Sequence, residues 1–179
     1  SAADAGNPVL YKSVRYDSVK DFEPVGLIYD APLVLMVNSS LPVKSVEDLI
    51  AYAKEHRGKV NYSSPGNGSV SHLAMSEFMR RTGIEMTHVP YQGAAKSLTD
   101  LAAGQVQVSF DAYAAAQPFL AGGRVRAIAV SSSERISVLP SVPTVAESGL
   151  GDFDLVPWVG LLAPAGTPRA VVDKVSEEL

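Results

Sequence analysis

Short apolar runs alternate along the chain with segments of helical periodicity. Residues 33–37, 59–63 and 86–89 are rich in β-branched and other apolar side chains and predict three strands. Two further strands are predicted at residues 105–110 and 126–130. Since a helical pattern separates each of these runs from the next, the sequence predicts an α/β fold built from strand–helix–strand units, with a largely parallel sheet.

The predicted helices carry recognisable start signals. Ser45 predicts the N-cap of a helix that ends near His56, and Asp111 predicts the N-cap of one that ends near Leu120. Thr167, which precedes a proline, predicts the N-cap of a C-terminal helix. A set of apolar residues predicts the buried face of the helix that follows residue 69: Val70, Leu73, Ala74 and Phe78.

Composition and charge exclude several classes of protein. Apolar residues make up 46% of the chain and charged residues 19%, as in globular proteins. The formal net charge is −4 and no basic cluster is evident, so nucleic acid is not an expected partner. The absence of cysteine excludes disulfides and thiolate metal sites. The apolar runs fall short of the roughly 20 residues of a membrane-spanning helix, and the first residues lack the pattern of a signal peptide.

Three strand-to-helix junctions offer the chemistry of an anion-binding site. They lie at residues 64–69, 91–94 and 111–113, where the carboxyl ends of parallel strands would meet along one edge of the sheet. Helix N-termini expose unpaired N–H groups and carry about half a positive charge, so they can hold a carboxylate without Lys or Arg. An acidic protein can therefore bind an anion at this edge.

The residues at these junctions also have simpler structural interpretations. Gly66 and Gly68 permit close approach of the backbone to a ligand, while Ser69 either contacts the ligand or caps the following helix. Tyr91 either presents its hydroxyl to a ligand or packs against its own lobe. Asp111 either orients a ligand hydroxyl, amine or bound water, or caps its helix. The residues alone leave these alternatives open.

Catalytic and metal-binding constellations are not evident in the sequence. His56, His72 and His88 lack the spacing of a zinc site, and the sequence around Ser69 is neither a P-loop, a dinucleotide fingerprint nor a nucleophile elbow. No acid is evident to orient His72 towards Ser69, which favours a histidine that is packed or hydrogen-bonded behind the loop. We expect no enzymatic activity, no bound metal and no cofactor.

Nearly the whole chain carries short motifs that occur together in one family. They are Asn7-Pro8-x-Leu10-Tyr11-Lys12, Tyr16-Asp17 with Lys20-Asp21-Phe22-x-Pro24-Val25, Leu41-Pro42-Val43-Lys44-Ser45, Gly66-Asn67-Gly68-Ser69-x-x-His72-Leu73, His88-Val89-Pro90-Tyr91-x-Gly93, Pro140-x-Val142-Pro143-Thr144-Val145-Ala146-Glu147 and Gly160-Leu161-Leu162-Ala163-Pro164-Ala165-Gly166-Thr167-Pro168. In combination they resemble the Bug, or TctC-like, solute receptors of tripartite tricarboxylate transporters.

The resemblance implies a fold like that of type II periplasmic binding proteins, with two α/β lobes and largely parallel sheets. Two crossover segments would lie near residues 33–37 and 127–130. The resemblance implies that residues 36–126 form a complete second lobe, and that residues 1–35 and 127–179 are parts of the first. Trp158 would then belong to the first lobe.

The resemblance also implies a function. The protein would be a periplasmic receptor that captures a di- or tricarboxylate, or an amino acid, for the membrane components of a tripartite tricarboxylate-type transporter. The alternative is the ligand-sensing domain of a transcriptional regulator or sensor, which can share this architecture. Carried over by position, the resemblance implies ligand-binding roles for Ser64, Gly66, Asn67, Gly68, Ser69, Tyr91, Gly93, Ala94 and Asp111.

Overall fold

The computed structural model describes residues 13–179, so the motif at residues 7–12 lies outside the described residues. In chain order the elements are β1 (Phe22–Asp30), β2 (Leu33–Asn38), α1 (Val46–Glu55), β3 (Asn61–Ser64), α2 (Val70–Thr82), β4 (Thr87–Pro90), α3 (Ala94–Ala102), β5 (Val108–Ala112), α4 (Tyr113–Ala121), β6 (Val125–Val130), β7 (Trp158–Pro164) and α5 (Arg169–Glu177). They form two compact units, residues 32–156 and a second unit made of residues up to 31 together with 157–179.

The larger unit contains a five-stranded sheet with the strand order β4-β3-β5-β2-β6. Strand β3 pairs in parallel with β4 and β5, whereas β2 pairs antiparallel with both β5 and β6. Four strands therefore run in one direction and β2 runs against them, so the predicted largely parallel sheet is mixed, with its antiparallel strand next to the edge strand β6. The predicted second lobe, residues 36–126, falls within this unit, and its assignment as a lobe stays a prediction.

The side chains of β2 point alternately to the two faces of the sheet and contribute to two apolar layers of the larger unit. Leu33, Leu35 and Val37 belong to the layer that includes residues of α1 and α2. Val34 and Met36 point the other way, into the layer that includes residues of α3 and α4. All six residues of β2 are buried, as expected of a strand that is covered by helices on both faces.

The first two helices follow their predicted boundaries, but one predicted core position is wrong. The Ser45 side chain accepts a hydrogen bond from the Asp48 N–H at 3.1 Å and caps α1. Helix α2 ends at Gly83 in the left-handed conformation. Its buried stripe is Ser71, Ala74, Met75 and Phe78, with the i, i+3, i+4, i+7 spacing of one face. Leu73 lies off this stripe and is 46% exposed.

Two predicted N-caps are also wrong. Asp111 is part of β5, where it pairs with Val34 of β2, and the cap of α4 is Ala112. Pairing with β2 extends β5 beyond the point where a capping aspartate would end it. The N-cap of α5 is Pro168, while the Thr167 hydroxyl donates a hydrogen bond to the carbonyl oxygen of Pro164, the last residue of β7, at 2.7 Å.

In the smaller unit, β1 and β7 form an antiparallel pair that packs against α5. Trp158 opens β7 opposite Asp30 of β1, and its assignment to the first lobe stays a prediction. A Cβ atom at Gly160 would lie 3.1 Å from the Trp158 ring and 3.0 Å from the Gly26 carbonyl oxygen. The absence of a side chain at Gly160 therefore lets the indole lie along the strand pair.

Candidate functional site

The carboxyl ends of β3, β4 and β5 meet at one edge of the five-stranded sheet. In the parallel ladder Ser64 lies beside Pro90, and Ser63 lies beside both Val89 and Ser109. The segments that follow these strands, residues 64–69, 91–94 and 111–113, therefore lie along the same edge, as predicted from the strand directions. Open α/β sheets place their ligands at this edge.

Hydrogen bonds within the glycine-rich loop fix its shape. The Gly66 carbonyl oxygen accepts from the Ser64 hydroxyl at 3.0 Å, the Ser69 hydroxyl at 2.8 Å and the Ser69 N–H at 3.3 Å. The Gly66–Asn67 peptide bond is trans, so the Asn67 N–H points away from this cluster. Asn67 is exposed. The loop thus leaves the Asn67 N–H outside its own hydrogen-bonded cluster.

The Ser69 hydroxyl and the Gly68 N–H form hydrogen bonds with the helix that follows the loop. The Ser69 hydroxyl accepts from the His72 N–H at 3.3 Å, which confirms the capping interpretation of this serine. Gly68 has a φ of 74°, a conformation that favours glycine. Its N–H donates to His72 Nδ1 at 3.1 Å, so this amide is turned towards the helix.

A stack of aromatic rings lies behind the loop. The rings of His72 and His88 are nearly parallel, with centroids 4.1 Å apart, and Tyr62 stacks on His88 at 4.8 Å. His88 Nε2 lies 2.7 Å from the Ser64 hydroxyl oxygen. Burial, and secondarily the charge of His72, lowers the pKa of His88. The predicted place of His72 behind the loop is confirmed, whereas the support from His88 was not foreseen, because the β3–β4 register creates it.

Two backbone hydrogen bonds join the first junction to the second. The Tyr91 N–H donates to the Ser64 carbonyl oxygen at 3.0 Å, and the Gly93 N–H donates to the Pro65 carbonyl oxygen at 3.2 Å. Burial, followed by a hydrogen bond to Asp100 and its charge, raises the pKa of Tyr91 to about 12. The Tyr91 hydroxyl is therefore engaged by a carboxylate of the same compact unit. A pocket of about 320 Å³ adjoins it, lined by Val89, Pro90, Tyr91, Gln92, Lys96 and Asp100.

The second and third junctions open helices that no side chain caps. Helix α3 begins after Gly93, which has a φ of 110°, and α4 begins after Ala112. Neither N-cap residue provides a side-chain acceptor. The first N–H groups of both helices, beginning with that of Ala94, are therefore not satisfied by a cap and can serve a negatively charged group.

Asp111 places a buried carboxyl group at the same edge. The residue is 4% exposed, and its Oδ1 accepts from the adjacent Ala112 N–H at 2.9 Å. In the part of the chain that the structure describes, Asp111 Oδ2 is buried without a hydrogen-bond partner. Burial raises the pKa of Asp111 to about 6, against a smaller lowering by the Ala112 N–H. This carboxyl can bind a donor group or keep its proton under mildly acidic conditions.

Residues 13–179 lack the features of two other kinds of site. No group of three His, Asp or Glu residues is placed to hold a metal ion within that range. No helix in the same range has the length and apolar character needed to cross a membrane. What the edge supplies is backbone N–H groups, small side chains and one buried carboxyl group, which is the chemistry of ligand binding.

The fold and this edge define an α/β protein of the solute-binding type. The chain belongs to the TctC family, described as the tripartite tricarboxylate transporter family receptor, whose profile matches residues 1–179. The predicted family and fold class are thereby confirmed. The family is one of receptors, and the similar protein BugD is a periplasmic binding protein.

Individual proteins support this assignment. The UPF0065 protein in the tcbD-tcbE intergenic region of Pseudomonas sp. strain P51 is 38% identical over 95% of this chain and 51% of its own length. R. palustris Rpa4515 with adipate has a TM-score of 0.87 at 39% identity, covering 92% of this chain and 55% of that protein. MatC from Rhodopseudomonas palustris with bound malate has a TM-score of 0.84 at 36% identity, covering 97% and 58%. The chain spans about half the length of the curated relatives it matches.

Proposed function

We propose that this chain is part of a periplasmic receptor that captures a small organic anion and delivers it to the membrane components of a tripartite tricarboxylate-type transporter. One observation carries the proposal: three strand-to-helix junctions share an edge of the sheet, and two of them open helices without a side-chain cap. Unpaired N–H groups at helix starts suit a carboxylate. The family supports the periplasmic location and the transporter partner.

Dicarboxylates are the ligand class that we favour. The similar proteins Rpa4515 and MatC hold adipate and malate, which share two carboxylates at the ends of a short chain. The donors that we assign to one carboxylate are the N–H of the exposed residue Asn67 and the first N–H groups of α3, beginning with that of Ala94. Ser64, Gly66, Gly68 and Ser69 would shape the loop, Tyr91 and Gly93 would hold the second junction against it, and Asp111 would receive a donor group.

The first experiment is a thermal-shift and calorimetric screen of the full-length parent protein against adipate, malate and citrate. A ligand that binds only the folded state raises the melting temperature, by an amount that increases with its concentration relative to Kd. We expect at least one dicarboxylate to bind at micromolar concentration. Binding by none of the three, in a protein that unfolds cooperatively, would contradict a carboxylate receptor.

A matched pair of glycines tests whether the loop takes part. Gly58 and Gly68 both have a φ of 74°, so alanine at either position carries the same backbone strain. Gly58 has no atoms within 4 Å of the position that a Cβ would take. We expect Gly68→Ala to weaken dicarboxylate binding at least tenfold, with Gly58→Ala binding as the wild type does. Equal affinities in the two variants would remove the loop from the site.

A further inference from the structure

The hydrogen bond from the Gly68 N–H to His72 Nδ1 requires one particular protonation state of the imidazole ring. A backbone N–H is always a donor, so His72 Nδ1, 3.1 Å from the Gly68 nitrogen, has to accept with its lone pair. The ring is then neutral, with its proton on Nε2. We propose that His72 is a positioning residue of the glycine-rich loop at residues 64–69. Its Nδ1 lone pair holds the Gly68 amide and thereby sets the orientation of the Asn67–Gly68 peptide. This inference rests on the function proposed above.

The geometry of the loop links this peptide to the ligand. Because the Gly68 N–H points to His72, the Asn67 carbonyl on the other side of the same trans peptide points away from the imidazole. The preceding peptide is held at Gly66 by three donors. The Asn67 N–H belongs to this preceding peptide, and the His72 contact fixes the peptide that follows it. The two anchors therefore hold the backbone on both sides of the Asn67 Cα atom. Loss of the His72 contact would leave the Asn67–Gly68 peptide without its anchor.

The surroundings of His72 favour the neutral ring. His88 from β4 stacks on it at 4.1 Å, and Tyr62 from β3 lies at 6.5 Å. Among the described residues, His88 and Tyr62 are the ionisable side chains whose rings stack with that of His72. None of these three side chains takes part in an ion pair within that part of the chain. Two stacked imidazolium rings would repel each other, and the lowered pKa of His88 keeps that ring neutral as well. Asp111, whose pKa is raised to about 6, lies in β5 with its side chain on the opposite face from Phe110.

The positioning role predicts the direction of a pH effect. A proton on Nδ1 removes the acceptor and turns a donor towards the Gly68 N–H, so protonation of His72 should lower the affinity for the ligand. A histidine that acted through its charge would have the opposite effect, since an imidazolium behind the loop attracts an anion more strongly as pH falls. The sign of the pH dependence therefore separates the two roles.

Three variants of the full-length parent test the proposal, with adipate and malate as probes. Asparagine places its amide oxygen at the position of Nδ1 and does not titrate, so we expect His72→Asn to keep wild-type affinity within about threefold and to lose the affinity decrease on acidification. His72→Leu removes the acceptor and should weaken binding about tenfold. His56→Leu is the control, since His56 lies at the end of α1 with its Nδ1 near the Tyr52 carbonyl oxygen.

A second measurement does not depend on any ligand. Long-range proton–nitrogen NMR spectra of the imidazoles should show His72 as the Nε2–H tautomer at pH 8, and the Gly68 amide signal should shift when His72 is protonated. The Nδ1–H tautomer, or an unmoved Gly68 signal, would overturn the inference. So would equal affinities of His72→Leu and His72→Asn, or a wild-type affinity that rises on acidification. If the spectra match and neither adipate nor malate binds, the proposed ligand class fails while the loop contact stands.

Discussion

The two compact units differ in how completely they bury their own apolar side chains. In residues 32–156, both faces of the sheet are covered, and β2 is buried along its whole length. In the described part of the smaller unit, Leu27 is 59%, Tyr29 54% and Trp158 41% exposed. A two-stranded sheet is marginal in water, whereas a five-stranded sheet with helices on both faces encloses a core. The larger unit therefore provides a rigid support for the candidate site, which lies entirely within it.

The largest expected effect is the loss of a core ring from the larger unit. Phe110 is fully buried between the rings of Phe78 and Phe153, so Phe110→Ala should destabilise the fold by about 3–5 kcal/mol. Trp158→Ala in the smaller unit is the matched aromatic truncation and should cost less than about 2 kcal/mol, because much of the ring is already in water. Denaturant unfolding of the two variants measures the difference. Equal losses would mean that the two units do not differ in this way.

The next largest effect comes from a buried carboxyl group, and here the substitution should stabilise the protein. The pKa of Asp111 is raised to about 6 in the folded protein, from 3.8, so between pH 4 and 6 the folded state holds a proton that the unfolded state has lost. Stability contributed by this group is thus present at low pH and is lost as pH rises through 6. We expect Asp111→Asn to be more stable than wild type by about 2–3 kcal/mol at pH 7 and nearly equal at pH 4.

Denaturant unfolding at the two pH values checks this prediction. Ser131→Ala is a useful contrast, because it removes a buried hydroxyl that hydrogen-bonds the Leu33 N–H and the Leu155 carbonyl oxygen. That variant should be less stable at both pH values, by about 1–3 kcal/mol. An Asp111→Asn protein whose stability changes with pH in parallel with the wild type would show that this carboxyl does not titrate as inferred.

Local signals in the sequence predicted most of the larger unit. Ser45 and Gly83 bound their helices because capping and the left-handed conformation depend on the residue itself and its nearest neighbours. The shared edge of the three junctions followed from strand direction alone. Asp111 shows the limit of this reasoning: an aspartate before a helix is a good cap, but pairing with a strand 77 positions earlier in the chain, at Val34, kept it in β5.

The less predictable features depend on contacts between distant residues. The direction of β2 between β5 and β6 is not encoded in its own apolar run, which suits either orientation. The His72–His88 stack requires the β3–β4 register together with the rotation of α2 about its axis. At the candidate site, the sequence indicated the glycines and Ser69, whereas the internal contacts of their polar groups became visible only in the folded loop.

A smaller effect is expected from the capping of α1. Ser45 accepts the Asp48 N–H at 3.1 Å, so Ser45→Ala should cost about 1 kcal/mol by leaving that donor to water. Ser45→Asp keeps an acceptor and adds a negative charge at the positive end of the helix, and it should restore the stability. Thermal unfolding of both variants tests this expectation. A loss in Ser45→Asp as large as that in Ser45→Ala would contradict a capping role.

The smallest expected effect comes from an exposed side chain within the larger unit, and it tests whether burial or the unit itself determines the loss of stability. Leu73 belongs to the well-packed larger unit but is 46% exposed, so Leu73→Ala should change the free energy of unfolding by no more than about 1 kcal/mol. Met75, two residues along the same helix, is fully buried, and Met75→Ala should cost about 2–5 kcal/mol. If Leu73→Ala instead proved as destabilising as Met75→Ala, the side chain would be packed in solution, and the buried face of α2 would be the one that the sequence pattern predicted.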